Sequence, residues 1–355
     1  MLEIKEIELR KKLLKDYYKL KTKFINTKDK KTKLEILHDI CSITEYLESN
    51  LIVYDDEYGY DYFYHQHFKM FQKIIENENR EIEKIVETLC KNYDVYNEIY
   101  IANKNIIKKH ERIKLDLSNS TEITSKTFYD LLFNIPFKEL KAHLNFLLKN
   151  KSIFIANDKF LYDTKDNFGL HYSIPFLNKD YHLVETFNKY SYLTIISLMH
   201  EITHSYIENK YACPTTLHVY REVAPYFYEY KTMDYFYQNN VGSLDILTNL
   251  NTILKAIKTS TDGNFCLKSN EDYTYFMYLI GPLVGYYFYE LGKADEEKCD
   301  YYFDKFYQNL NKYEPLELLK KANIEIEQLT SGEIAKRMVK QYDIYNQNYS
   351  QRTKI

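Results

Sequence analysis

The sequence predicts a mainly α-helical fold with a small antiparallel β-sheet, on three observations. Glycine and proline are rare, with 8 glycines and 6 prolines among 355 residues, so turns are few and secondary-structure elements are long. Apolar residues recur at helical spacing over most of the chain. Residues 152–187 differ, because short β-branched and aromatic runs alternate there with turn-forming Asn-Asp, Lys-Asp-Asn and Asn-Lys-Asp stretches.

Residues 1–125 are predicted to form an N-terminal helical region. One apolar helical stripe consists of Ile36, Ile40, Ile43 and Leu47. Segment 54–64 combines four acids, one glycine and interleaved aromatic residues, which predicts a loop or a junction between helices. His65 and His67 follow this segment. Because side chains two residues apart face different sides of a helix, we predict packing or surface roles for both histidines rather than metal binding.

Residues 126–355 are predicted to form the second region, with one continuous structural unit expected. Helices at 126–133 and 138–148 precede two to four short strands between residues 152 and 187. The helices predicted after the strands span 190–209, 220–238, 244–258, 273–292, 295–310, 315–322 and 331–342. The polar tail after Tyr345 is predicted to fray.

Segment 273–289 is apolar enough to require comparison with a membrane span. It carries no charge over 17 residues, which is the lower limit of a spanning length. However, it contains six tyrosines, Gly281 and Pro282 lie in its middle, and acidic residues flank both ends. These features predict a buried helix that is broken at the proline, rather than a membrane partner.

Charge and cysteine content exclude several classes of protein. Lysine and arginine (48) nearly balance aspartate and glutamate (51), which leaves a formal charge of -3 and no basic surface for nucleic acid. The five cysteines are odd in number, widely spaced and free of Cys-x-x-Cys pairs, which favours reduced thiols and a cytoplasmic location. The first residues intersperse charges with apolar side chains, unlike a signal peptide. The sequence does not indicate an oligomeric state.

A His-Glu-Ile-Thr-His motif occupies residues 200–204 within an apolar predicted helix. His200 and His204 lie one helical turn apart on one face, so both imidazoles can reach a single tetrahedral ion. Glu201 can then act as general base on a water molecule held by the metal. Because the surrounding helix is apolar on nearly every face, these polar groups are expected to be buried, where they are costly unless something satisfies them.

Glu222 is the strongest candidate for a third metal ligand. It follows His200 by 22 residues, enough for the motif helix to end near Lys210 and for a second helix to return antiparallel to it. Glu229 lies seven residues further on and shares its helix face, either to orient a ligating imidazole or as a solvated acid. Two histidines, one glutamate and a water molecule form the open pattern of catalytic zinc, so we predict one Zn²⁺ per chain.

These motifs resemble the oligoendopeptidase F and thimet oligopeptidase family of zinc peptidases, which is of the gluzincin type. The resemblance covers residues 150–292 and rests on His-Glu-x-x-His-Ser at 200–205, Glu-Val-Ala at 222–224 with Glu229, and the stretches HYSIPFLNKDYHLVETF and YLIGPLVGYYFYEL. It implies a multi-helix metallopeptidase fold with the small sheet beside the motif helix. It also implies that 126–355 is the catalytic region and that Glu222 completes the zinc site.

The same resemblance implies how a peptide substrate is held. Tyr286 and Tyr289 are similar to the family's cleft tyrosines and are candidates to stabilise the oxyanion, with Tyr287 as an alternative in another helical register. The strand at 171–175 can bind an extended peptide by strand addition. Three positions depart from the family pattern: Thr203 replaces a usual glycine, Ile207 replaces a common histidine, and the cleft histidine near Tyr278 is absent.

The predicted function is zinc-dependent hydrolysis of peptide bonds in oligopeptides. Glu201 is expected to activate the water molecule that attacks the scissile carbonyl. Two alternatives remain open from the residues alone. One is a metal-free helical binding protein with a degenerate motif, and the other is a zinc carboxypeptidase or a processing peptidase dedicated to one partner peptide.

Overall fold

A computed structural model describes most of the C-terminal two thirds of the chain and parts of its N-terminal third. The described residues are 4–29, 32–33, 35–36, 39–40, 42–43, 84, 86–110, 120–149, 153–156, 170–174, 179–185, 190–211, 219–259 and 270–352. The segment 54–64 and the histidines at 65 and 67 lie outside them.

The described chain is mostly helical, as predicted. Its named helices are α1 (Ile4–Asn26), α2 (Tyr93–Lys109), α3 (Ser125–Asn134), α4 (Lys138–Lys149), α5 (Tyr192–Tyr211), α6 (Val223–Gln238), α7 (Ser243–Thr259), α8 (Asn270–Ala294), α9 (Glu296–Gln308), α10 (Pro315–Lys321), α11 (Ile326–Thr330) and α12 (Glu333–Arg352). The strands are β1 (Ile153–Ala156), β2 (Leu170–Ile174) and β3 (Lys179–Glu185). No described helix is both long and apolar enough to cross a membrane.

The three strands form one sheet in the order β1-β3-β2. The predicted antiparallel arrangement is not seen, because β1 pairs with β3 in parallel, with Ile153 opposite His182 and Ala156 opposite Glu185. A parallel pair cannot be closed by a tight turn and needs a long connection between its strands. β2 and β3 are neighbours in the sheet and only four residues separate them in the chain, whereas β1 lies on the other side of β3 and does not pair with β2.

The chain forms two compact units. One comprises residues 1–83 and 172–181, and the other comprises 84–171 and 182–355. The first unit contains α1, and Ile36 and Ile40 of its predicted apolar stripe are buried. The predicted boundary between residues 125 and 126 lies inside the second unit.

Helix α6 is at the centre of the second unit, packed against α5 on one side and α8 on the other. Every residue from Val223 to Tyr230 is buried, in keeping with a helix that is apolar on nearly every face. On α8, Gly281 lies against Glu222 and Gly285 lies against the Val223 carbonyl and Phe227. The absence of side chains at these two glycines therefore lets α6 and α8 approach closely, running in the same direction.

The structure corrects two of the predicted helices. Helix α8 continues through Pro282 without a break, and its packing on α6 maintains it although proline removes one intrahelical hydrogen bond. Helix α12 extends to Arg352 instead of fraying after Tyr345. Tyr345 is buried against Tyr237, the two ring centroids lying 4.6 Å apart, and Asn348 donates a hydrogen bond to the Tyr237 hydroxyl. This anchorage stabilises the last two turns.

Candidate metal centre

Helix α5, which carries the His-Glu-x-x-His motif, is fixed at its N-terminus by side chains from two elements. The Ser191 hydroxyl accepts a hydrogen bond from the Thr194 amide at 3.1 Å, as an N-cap residue does. Asp245 of α7 accepts one from the Leu193 amide at 3.1 Å and another from the Thr121 amide. Asp245 thus satisfies an N-terminal amide of α5 that no residue of α5 itself can reach.

Replacing Asp245 by alanine is expected to lower the free energy of unfolding by about 2 kcal/mol or more, because a cap is lost and buried amides lose their acceptor. Chemical denaturation of both proteins measures this change. Lys255→Ala on the same helix is the control, since Lys255 is exposed and such substitutions usually change stability by less than about 0.5 kcal/mol. Equal stability of the Asp245 and Lys255 variants would contradict the proposed capping role.

The C-terminal half of α5 is fastened to two other helices. Ser205, directly after the motif, contacts His143 of α4 with 2.6 Å between Oγ and Nε2. Burial lowers the pKa of His143 to about 4, so this imidazole is neutral at pH 7. Lys210 donates hydrogen bonds to Glu139 of α4 at 3.0 Å and to Asp304 of α9 at 3.1 Å. Both ends of the motif helix are therefore held by tertiary contacts.

The structure brings His200, His204 and Glu222 together. Glu222 Oε2 lies 3.1 Å from His200 Nε2 and 3.7 Å from His204 Nε2. One potential ligand atom from each of the three residues lies within 4.8 Å of the others. Glu222 occupies the N-cap position of α6, and its side chain therefore projects from the start of this helix toward α5.

Glu229 binds the other nitrogen of His200. Its Oε1 accepts a hydrogen bond from His200 Nδ1, and its Oε2 accepts one from Asn249 Nδ2 of α7 at 2.7 Å. Glu229 is only 6% exposed, so of the two roles left open for it, orienting the imidazole matches the geometry and a solvated acid does not. Asn249 was not predicted: α7 carries a second asparagine, Asn251, and nothing in the sequence distinguishes the two.

Burial and nearby charges shift the pKa values of these residues in opposite directions. Burial lowers the pKa of His200, but the carboxylates of Glu229 and Glu222 outweigh it and hold this pKa well above 6.5. Burial likewise raises the pKa of Glu222, and His200 reverses the effect, so the net pKa is lowered. Glu201 is 9% exposed, and burial raises its pKa to about 7 against the opposing effect of His200.

The chemistry of these residues fits a zinc ion. Glu222 Oε2 is buried and has no hydrogen-bond partner among the described residues, although it lies between two imidazoles. Two imidazole nitrogens and one carboxylate oxygen are the donor set of catalytic zinc sites. Three carboxylates, those of Glu201, Glu222 and Glu229, are buried here, and a bound cation would compensate the negative charge that they carry when ionised.

Tyr286 and Tyr289 do not join this cluster. Both rings pack against Tyr230, and their hydroxyls contact the Arg337 carbonyl and Lys293 Nζ respectively. The Tyr287 hydroxyl donates to the Asn323 carbonyl, so the alternative register does not reach the cluster either. The reason is the packing register: Gly281 faces Glu222, so the residues one and two turns later on α8 lie beside later turns of α6.

Tyr278 lies nearer the cluster. It precedes Gly281 by three residues and so shares the face of α8 that meets Glu222. The Glu222 carboxylate, followed by burial, raises the pKa of Tyr278, and its side chain is 37% exposed. A hydroxyl at this position combines closeness to Glu222 with access from solvent. Sequence reasoning missed it because the choice of tyrosines followed the family resemblance.

The two other departures from the family pattern are accommodated in the core. The Thr203 hydroxyl donates to the Met199 carbonyl within α5 at 2.6 Å, so the buried side chain is satisfied. Ile207 is buried as well.

Strand β2, which includes part of the predicted substrate-binding strand, is at one edge of the three-stranded sheet. Strand addition by a peptide there stays a prediction.

Gly281→Ala is expected to weaken metal binding through Glu222. A Cβ at this position would lie 2.6 Å from Glu222 Cβ, a distance that requires the backbone or Glu222 to move. Overpacking of this kind costs about 1–3 kcal/mol. If about 1.4 kcal/mol of this cost is subtracted from the free energy of zinc binding, the affinity falls about tenfold. Chelator competition measures the affinity, and thermal unfolding reports the strain.

Gly292→Ala is the matched control for this prediction. It also adds a methyl group to α8, but its closest contact would be 3.4 Å to Cys299 Sγ. Zinc affinity within about twofold of wild type is expected for this variant, because a contact of 3.4 Å is close to van der Waals distance and does not require the neighbouring side chain to move. If both alanine variants bind zinc equally well, close packing at Gly281 does not position Glu222.

No family model matches the sequence, and no curated protein matches it. A structure assigned as an oligoendopeptidase F from Bacillus anthracis str. Ames is 13% identical with a TM-score of 0.47, over 89% of this chain and 63% of that chain. A structure assigned as a peptidase from Chlamydophila abortus is 14% identical with a TM-score of 0.43, over 75% of this chain and 56% of that chain. The structure of PZ peptidase A with an inhibitor is 11% identical with a TM-score of 0.48, over 96% of this chain and 76% of that chain. This chain spans less than two thirds of the first two proteins.

Proposed function

We propose that the chain is a zinc-dependent peptidase that hydrolyses peptide bonds in oligopeptides. The observation that carries this proposal is the position of the buried Glu222 Oε2, 3.1 Å from His200 Nε2 and 3.7 Å from His204 Nε2, with Glu201 next to His200 in the chain. Glu222, His200 and His204 would hold the ion. Zinc supplies Lewis acidity and lowers the pKa of a water molecule bound to it.

Glu201 is the proposed general base. It takes a proton from the water molecule that attacks the scissile carbonyl carbon, and it later delivers that proton to the nitrogen of the departing amine. Its carboxylate is 9% exposed, so it acts at a site from which most bulk water is excluded. A buried base of this kind keeps the proton within the reacting group rather than losing it to solvent.

Tyr278 is the proposed hydrogen-bond donor to the carbonyl oxygen as that oxygen becomes negatively charged. The proposal rests on its place on the face of α8 beside Glu222 and on its exposure to solvent. Tyr286 and Tyr289 contact other groups, so neither is retained in this role. Donors aimed at a developing oxyanion typically contribute about 10²–10³-fold in rate.

A carboxypeptidase is the second candidate, and one observation favours it. Arg221 Nε lies 3.8 Å from Glu222 Oε1. This nitrogen is buried and has no hydrogen-bond partner in the described part of the chain. A guanidinium beside the ion can bind the terminal carboxylate of a peptide through two parallel hydrogen bonds. Matched peptides with free and amidated C-termini separate the candidates, because only a carboxypeptidase depends on the free carboxylate.

The test of the proposed function is digestion of a mixed peptide library, analysed by mass spectrometry, with zinc quantified in the same sample. Wild-type protein is expected to hold one zinc per chain and to produce cleaved peptides. A chelator should stop cleavage, and added zinc should restore it. Protein without stoichiometric zinc and without cleavage would favour the metal-free binding protein.

A further inference from the structure

We infer that Asn249 is a positioning residue for the metal centre, acting through Glu229 on His200. The inference rests on the proposed zinc site and goes beyond it, because Asn249 is neither a ligand nor a reacting group. Asn249 Nδ2 donates to Glu229 Oε2 at 2.7 Å, and the same nitrogen lies 3.6 Å from Met233 Sδ. The other carboxylate oxygen of Glu229 accepts from His200 Nδ1.

The effect of this contact follows from hydrogen-bond chemistry. A terminal carboxylate rotates over a broad range of angles unless both oxygens are held. Glu229 is held at both, by the amide of Asn249 and by the ring of His200. A carboxylate oxygen accepts hydrogen bonds, so the Nδ1–H of His200 points to Glu229 and Nε2 is the ring atom left to bind the ion. That Nε2 atom lies 3.1 Å from Glu222 Oε2, on the side where the ion is proposed.

Helix α7 carries both Asn249 and a residue that fixes the motif helix α5. Asp245 lies four residues before Asn249 on α7 and binds the Leu193 amide at the N-terminus of α5. Residues four apart share a helix face, so Asp245 and Asn249 act on α5 and on Glu229 from the same side. Helix α7 therefore fixes the start of α5 and the orientation of His200 together.

The experiment measures zinc dissociation constants by chelator competition for wild type, Asn249→Ala and Asn249→Asp. Outer-shell partners of metal-bound histidine typically change metal affinity 10–100-fold, and this is the loss expected for Asn249→Ala. Asn249→Asp should bind no better than the alanine variant, because its carboxylate cannot donate to Glu229 and repels it. Asn251→Ala on the same helix is the matched control, and its affinity should stay within about twofold of wild type.

A double substitution separates positioning from a general structural effect. If Asn249 acts through Glu229, Asn249→Ala should weaken zinc binding in the wild-type background but cause little further loss in Glu229→Gln protein. Equal losses in both backgrounds would overturn the inference, as would unchanged affinity of Asn249→Ala. Thermal unfolding of the metal-free proteins detects any variant that fails to fold, and the absorption spectrum of the cobalt-substituted protein reports ligand geometry independently of affinity.

The outcomes also distinguish this inference from the proposed function. Wild-type protein that binds no zinc overturns both. Wild-type protein that binds zinc and cleaves peptides, with unchanged zinc affinity in Asn249→Ala, overturns the positioning role alone. Zinc binding without peptide cleavage, together with weaker binding in Asn249→Ala but not in Asn251→Ala, supports the positioning role while the peptidase proposal fails.

Discussion

Glu201→Gln protein is expected to lose peptide hydrolysis while it keeps its zinc. Glutamine has nearly the same shape as glutamate but cannot take a proton from water, and general-base catalysis typically contributes about 10²–10⁴-fold. The proposed ligands His200, His204 and Glu222 are unchanged in this variant. The measurements are kcat/KM on a peptide that the wild type cleaves, and zinc content of both proteins after gel filtration.

Glu208→Gln provides the matched control. It makes the same chemical change on the same helix seven residues later, at a partly exposed position beyond the motif. Its kcat/KM is expected to stay within about twofold of wild type. A Glu201→Gln protein that holds zinc and still cleaves at the wild-type rate would exclude Glu201 as the base and would require another proton acceptor.

Glu222→Gln is expected to abolish tight zinc binding, and with it all cleavage. The substitution removes the negative charge of the buried Oε2 that lies between the two imidazoles, leaving a weak neutral ligand. Glu229→Gln should be milder, with a loss of about 10–100-fold in affinity, because its amide oxygen can still accept from His200 Nδ1. Chelator competition on both variants gives the two affinities.

The contrast between these two variants is the decisive result. The proposed ligand Glu222 and its proposed outer partner Glu229 occupy the same helix face, seven residues apart, so their burial and folding context are similar. If Glu229→Gln loses more zinc affinity than Glu222→Gln, the assignment of ligand and partner has to be exchanged. If neither variant loses affinity, the ion does not bind at this cluster.

Local sequence signals predicted the helices of the second unit well. Helix α5 was expected at 190–209 and is observed at Tyr192–Tyr211, and α7 was expected at 244–258 and is observed at Ser243–Thr259. Helical periodicity extends over several turns within each segment, so it is readable without knowledge of its neighbours. The parallel pairing of β1 with β3 was not readable, because it joins residues nearly 30 positions apart and no local pattern encodes it.

Some residues of the candidate site could likewise be predicted from the sequence, whereas others depend on how the helices pack. His200, Glu201 and His204 follow from spacing within one helix, and Glu222 was predicted from its distance along the chain and from the family resemblance. The choice of Tyr286 and Tyr289 followed that resemblance and their shared helix face. The packing of Gly281 on Glu222 instead leaves Tyr278 near the proposed ligands, while Tyr286 and Tyr289 contact other groups. Side-chain direction across a helix pair depends on the packing register, which the sequence of one helix does not contain.

By itself, the sequence determined a helical protein in which His200, Glu201 and His204 lie within about one turn of one buried helix, because the 3.6-residue period places side chains relative to their own helix axis. Only the tertiary structure decided what faces them. The contact of α6 with α5 placed Glu222 Oε2 between the imidazoles, and the approach of α7 gave Glu229 its partner Asn249. These contacts join side chains of separate helices, so they exist only once those helices have packed together.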